Sequence, residues 1–314
     1  MSRTLFSRSR RMVVLTVGAG SLLVVAACGS SSTKASPGTA SSGAASPAHG
    51  QHSDDMPSSE MPSSDMQTGG GEHHADAGKG LLSTEDGYTL MPASTALTVG
   101  AQTIRFQILG PDGLPQTKYT EDQTKLLHFY LVRNDLTGYV HDHPTLSADG
   151  TWSIGVTTAS PGAYRMYADF VAKDAGGKDH PVVLSTALSA PGGAPAAPVT
   201  VSPATQTVDG LTVTMAGSIS AGTASKVTFR VSQAGRPVAD LEQYLDSFAH
   251  LTALHAGDLA YQHVHPELTA APGQKGGPAL PFTVELPEKG TWRLFLQVQR
   301  GGALHLVPFT VAVG

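Results

Sequence analysis

Six histidines stand in two sets of identical spacing. His128, His141 and His143 lie in HFYLVRNDLTGYVHDHP, and His250, His263 and His265 lie in HLTALHAGDLAYQHVHP, so H-x12-H-x-H-P is present twice. Imidazole is a good ligand for Cu(II), Zn and Ni, and three imidazoles brought to one point leave a fourth coordination position for water or a thioether. One HxHP is weak evidence, because paired strand histidines can bond to backbone carbonyls while the proline merely ends the strand. Its repetition at a fixed distance from a third histidine favours metal binding. A structural histidine cluster and a pH-responsive cluster, in which protonated rings repel, are the alternatives.

The chemistry requires a hairpin in each copy. A turn at Asn134-Asp135-Leu136-Thr137 sets His128 opposite His143 and Tyr130 opposite His141; a turn near Gly257-Asp258 sets His250 opposite His265. Paired residues share a face, as do residues i and i+2 of one strand, so each trio projects to one side within about 5 Å. A one-residue slip would send the first histidine to the opposite face. The expectation is a three-histidine cluster in each repeat. His180 and His305, each opening a last strand after a Gly-Gly turn, are candidate additional ligands. His255 is expected to face away as a packing or surface residue, Met166 and Met215 to be core, and Asp142 to point away from the histidines beside it.

The repeat extends beyond the histidines. Asp86-Gly87 and Asp209-Gly210 precede Phe106 and Phe229 at equal distance, and Pro115 and Pro237 precede the first histidines at equal distance. PGAYRMYADF (161–170) matches KGTWRLFLQV (289–298), pairing Gly162 with Gly290 and Arg165 with Arg293. Such agreement argues for a duplicated domain. Short alternating runs separated by Gly, Pro and Asp predict an all-β chain, two tandem immunoglobulin-like antiparallel sandwiches at 81–190 and 207–314 joined by a Pro/Ala linker at 191–206. Only LEQYLDSF (241–248) reads as helical.

Residues 1–27 read as a signal peptide, with Arg3, Arg8, Arg10 and Arg11 before an apolar run that closes on Val25-Ala26-Ala27-Cys28. Cys28 is the only cysteine, which excludes a disulfide within the chain and makes it the expected lipidation site. Ser9-Arg10-Arg11 also allows twin-arginine export. Residues 28–80 read as a Ser/Gly/Ala/Pro-rich tether carrying Met56, Met61 and Met66 at a period of five, together with His49, His52, His73 and His74. Thioethers suit Cu(I), so this segment is a candidate metal collector. The chain carries a formal charge of −5, and loss of the four leader arginines makes it more acidic, which argues against nucleic acid as a partner.

With these features the chain resembles secreted or lipid-anchored bacterial proteins of actinobacterial type, whose tandem domains carry a histidine strand, an acidic turn, HxHP and a G-Y/W-R strand. That resemblance implies an extracytoplasmic, membrane-anchored protein handling copper or another heavy metal, with a transporter or sensor as an open partner. The HxH pair also gives a local likeness to copper-zinc superoxide dismutase, but the disulfide and bridging histidine of that family are missing. The first reading is copper capture or buffering, with zinc as the other candidate ion. A metal-dependent redox or hydrolytic enzyme, and an adhesive pair of domains with incidental histidines, are the competing ones; no catalytic residue is assigned.

Overall fold

The computed structural model describes residues 80–193 and 197–314, all within one compact unit. The expected leader, Cys28 and the tether with Met56, Met61, Met66, His73 and His74 lie outside the described residues. Every described element is a strand, and no described helix is long and apolar enough to cross a membrane.

The first half contributes β1 (Thr84–Glu85), β2 (Tyr88–Pro92), β3 (Gly100–Leu109), β4 (Tyr119–Thr120), β5 (His128–Arg133), β6 (Val140–Asp142), β7 (Thr145–Leu146), β8 (Thr151–Thr158), β9 (Gly162–Lys173) and β10 (Asp179–Ala190). They form two antiparallel sheets, β1-β2-β3-β8-β7 and β10-β9-β5-β6, with β4 also paired to β9. The second half contributes β11 (Thr205–Val208), β12 (Leu211–Ala216), β13 (Ser225–Gln233), β14 (Arg236–Pro237), β15 (His250–His255), β16 (Tyr261–Val264), β17 (Ala279–Val284), β18 (Gly290–Arg300) and β19 (Ala303–Val313). Its sheets are β11-β12-β13-β14, with β17 against β13, and β16-β15-β18-β19. Each half is an antiparallel sandwich of immunoglobulin-like type.

Alternation explains the cores. In the first half Phe106, Phe129, Trp152, Met166 and Phe170 meet between the sheets; in the second, Phe229, Leu251, Phe282, Trp292 and Phe309 do so, with Met215 packed against them. LEQYLDSF is not helical. Leu241 and Glu242 bridge to Gly276 and Gln299, and Tyr244 to Ser247 closes a tight turn. Its apolar ends, Leu241 and Phe248, are buried in the sandwich core, so packing overrides the local helical preference.

One sheet of each sandwich is buried on both faces. Residues 128–132 of β5 and 250–254 of β15 are buried without interruption, whereas β8 alternates. A third apolar cluster accounts for this: Tyr130, Val132, Tyr167 and Val183 of the first half pack against Leu254, Leu259, Tyr261 and Phe295 of the second. The outer faces of sheets β10-β9-β5-β6 and β16-β15-β18-β19 are therefore apposed. Stacked rings lock the contact, with Tyr139 on Phe295 at 4.0 Å between centroids and Tyr167 on Tyr261 at 5.4 Å.

Candidate metal centre

The hairpin registers are those expected from the sequence: Tyr130 pairs with His141, and Thr252 with His263. Since Phe129 and Leu131 face the first core, His128 and Tyr130 face the other way, onto the apposed half. His250 and Thr252 do the same from the other side, opposite Leu251 and Ala253. His143 and Pro144 lie where the chain leaves β6 for β7 in the other sheet, so the proline marks a crossing between layers. The sequence left open whether the two clusters meet; both trios enter the same inter-sandwich layer. The His141 ring stacks on His250 at 4.4 Å between centroids, and the His128 ring lies 5.5 Å from that of His263.

The first trio is organised by its outer hydrogen bonds. His128 Nε2 lies 3.1 Å from the carbonyl oxygen of Asp122, and His141 Nδ1 lies 2.6 Å from Gln297 Oε1. Both partners can only accept, so those nitrogens carry the protons of neutral rings. His128 Nδ1 and His141 Nε2 are then lone pairs that face each other at 3.2 Å, with His143 Nε2 3.3 Å from His128 Nδ1. Two nitrogens each 2.0–2.1 Å from a tetrahedral ion are separated by about 3.3 Å. These spacings match that edge, and one ligand atom from each of the three rings lies within 4.8 Å of the others. The described structure therefore holds a histidine cluster able to bind a metal ion.

The second trio is organised differently. His263 Nδ1 lies 3.1 Å from the buried carboxylate of Asp169, which also accepts from the Tyr261 hydroxyl at 2.8 Å. That makes His263 Nε2 a lone pair, and it accepts from Gln123 Nε2 at 3.0 Å. The same amide nitrogen reaches His265 Nδ1 at 3.2 Å, while Gln123 Oε1 accepts from His250 Nδ1 at 3.2 Å. His250 Nε2 then faces the Tyr130 hydroxyl at 3.3 Å.

Asp169 and Gln297 occupy matching positions in the repeated strands β9 and β18, opposite His128 and His250 respectively. Each braces the middle histidine of the other half. Neither residue, nor Gln123, is found by motif reading of the histidines. A signal for the pair was present: one polar residue stands in the same column of two otherwise apolar runs, YADFVA and FLQV. Gln123 carries no such mark.

The other candidates fall elsewhere. His180 is three residues from the interface residue Val183, hence on the opposite face, and it pairs with Asp174 at 3.0 Å. His305 pairs with Asp209 at 3.1 Å, adjacent to Leu306 and so on the face away from the interface. Strand alternation removes both from the trios. His255 packs on Trp292 and bonds Asp258 at 2.7 Å, as expected of a packing residue, and together with Glu288 it makes a second, peripheral ligand group.

Burial is the main reason the His128 imidazole is pushed down to about 4, with the nearby His263 adding to it. Burial followed by the neighbouring His128 pushes His143 down to about 3. His141 and His250 are also driven well below the ordinary range, chiefly by burial and then by adjacent imidazoles. These four rings are neutral at neutral pH, the form that binds metal.

The sequence profile of a domain of unknown function, DUF8832, matches residues 83–183 and 206–314. The chain belongs to the DUF8832 family. Its two matched segments lie one in each sandwich. A search of curated proteins gives no significant match. Among solved structures, InvD of Yersinia pseudotuberculosis aligns with 15% identity over 72% of this chain and 57% of its own, at a TM-score of 0.22. A bacterial integrin-binding invasin aligns with 15% identity over 72% and 39%, at 0.21. A DUF3823 family protein from Parabacteroides merdae aligns with 12% identity over 69% and 100%, at 0.20. The chain thus spans less than two thirds of the length of the first two. At TM-scores this low the likenesses carry no functional weight, and the fold rests on the strand order itself.

Proposed function

We propose that this protein is an extracytoplasmic metal-binding protein, anchored by a lipid on Cys28, that captures or buffers copper through His128, His141 and His143, with His250, His263 and His265 as a second, differently held set. The observation that carries the reading is the meeting of two imidazole lone pairs, His128 Nδ1 and His141 Nε2, at 3.2 Å. Two lone pairs at that distance repel unless a cation lies between them, and the outer partners leave neither ring a proton to offer. Zinc suits the same nitrogens. The thioethers of Met56, Met61 and Met66 and the imidazoles of His73 and His74 in the tether sequence favour copper, since both its oxidation states find ligands there.

The test is a calorimetric titration of the full-length protein with Cu(II), with Cu(I) under anaerobic reducing conditions, and with Zn(II), beside the His128→Ala/His141→Ala variant. One equivalent that disappears in the variant, and is tightest for copper, is expected. Identical isotherms for the two proteins would remove the trio from metal binding and leave the tether as the candidate.

A further inference from the structure

We infer that Gln123 is a built-in occupant of the second trio, which a metal ion must displace to bind His250, His263 and His265. The inference rests on the proposal that such trios bind metal. Its basis is independent of the first trio: three imidazole nitrogens, His250 Nδ1, His263 Nε2 and His265 Nδ1, converge on one carboxamide at 3.0–3.2 Å. In the first trio His128 Nδ1, His141 Nε2 and His143 Nε2 converge on one another.

The chemistry of the amide explains how it can stand in for a cation. Its NH2 group presents two positively polarised hydrogens to the lone pairs of His263 and His265, while its oxygen holds His250 in the tautomer protonated at Nδ1. In that tautomer His250 Nδ1 has no lone pair for a metal. Release of Gln123 withdraws the amide from all three nitrogens, and His250 presents its Nδ1 lone pair once its proton moves to Nε2 beside Tyr130 and Thr252.

The backbone is built for this placement. Asp122 and Lys125 exchange both backbone hydrogen bonds at 2.9 Å, closing a two-residue turn in which Gln123 and Thr124 have φ of +44° and +70°. Such a turn normally takes Asn-Gly, because side chains are strained there. A glutamine held in that conformation, 8% exposed and crossing from one half to the histidines of the other, is retained at a conformational cost. Leu245 stands at the matching position before His250 and cannot make these bonds. The latch therefore serves one trio only.

The same turn also carries the Asp122 carbonyl that sets the tautomer of His128. Displacement of Gln123 would thus be felt in the first trio as well.

The test is Gln123→Gly in the full-length protein, a change that suits the left-handed backbone and so preserves the turn; Gln123→Ala is the second variant. Zn(II) is titrated calorimetrically into the wild type, into both variants, and into Gln123→Gly carrying His250→Ala and His263→Ala. The wild type is expected to bind one equivalent dependent on His128 and His141. Gln123→Gly and Gln123→Ala should gain a further equivalent, lost again with His250 and His263, and the His250 nitrogen shifts of the metal-free Gln123→Gly protein should show loss of the Nδ1-protonated form. An unchanged count would overturn the latch, and a weakened second equivalent would overturn it by making Gln123 a ligand. A gain in the variants with no His128-dependent equivalent in the wild type would uphold the latch and overturn the first-trio proposal.

Discussion

The two histidine trios have the same spacing, the same strand register and the same layer to occupy, yet they are held in different chemical states. In the first, His128 and His141 are turned by a carbonyl and an amide oxygen so that their lone pairs face each other. In the second, a carboxylate turns His263 in the same sense, but an amide group from the opposite half fills the space between the rings. Spacing in the sequence selects which rings meet; the outer hydrogen-bond partners decide what those rings can bind.

The largest effect is expected from removing the first trio. His128→Ala/His141→Ala is expected to abolish the metal equivalent assigned to it while the protein stays folded, read by calorimetry alongside thermal unfolding. Loss of every metal equivalent would instead indicate one shared centre. Next in size is Asp169→Leu, which leaves two buried donors, on His263 and Tyr261, without their acceptor. The cost is about 1–3 kcal/mol for each donor, measured by chemical denaturation. Gln297→Leu tests the matching brace. It should weaken binding at the first trio by roughly 10- to 100-fold, the usual effect of losing a partner that orients a ligating histidine.

Acid gives a graded effect. His128 and His143 are held near 4 and 3 in the folded protein against 6.5 ordinarily. Between those values the unfolded chain binds protons that the folded one refuses, so stability of the metal-free protein must fall as pH drops below about 6.5. The slope for His128 alone is about 1.4 kcal/mol per pH unit, levelling out as pH falls past the folded values. A metal-free protein equally stable at pH 7 and pH 5 would show that these rings are not shielded as the packing indicates. Smallest of all, His180→Ala and His305→Ala should leave metal affinity and stoichiometry unaltered, because both side chains face away from the shared layer.

Much of this arrangement was legible in the sequence because strand geometry is periodic. The pairing of Tyr130 with His141 and of Thr252 with His263 follows from turn placement and a repeat of two. The apposition of the two sandwiches was hidden. Its signal is the continuous burial of His128 to Val132, a run with apolar residues on both faces, which resembles an ordinary strand until compared with the alternating β8. Gln123 was beyond reach for a different reason: its role depends on a turn in one half meeting a hairpin more than a hundred residues away, and no local pattern encodes that meeting. The short apolar-polar rhythm of LEQYLDSF misled because tertiary bridges to Gly276 and Gln299 outweigh it.

Were the halves separate, identical chains joined about a two-fold axis, whatever stood at the bracing position would appear on both sides, and the two centres would be copies of each other. Joined in a single polypeptide, the halves are released from that constraint: an acid can stand at 169 and an amide at 297. Covalent linkage here does more than raise the local concentration of one sandwich beside the other. It breaks the equality of two sites that symmetry would have enforced.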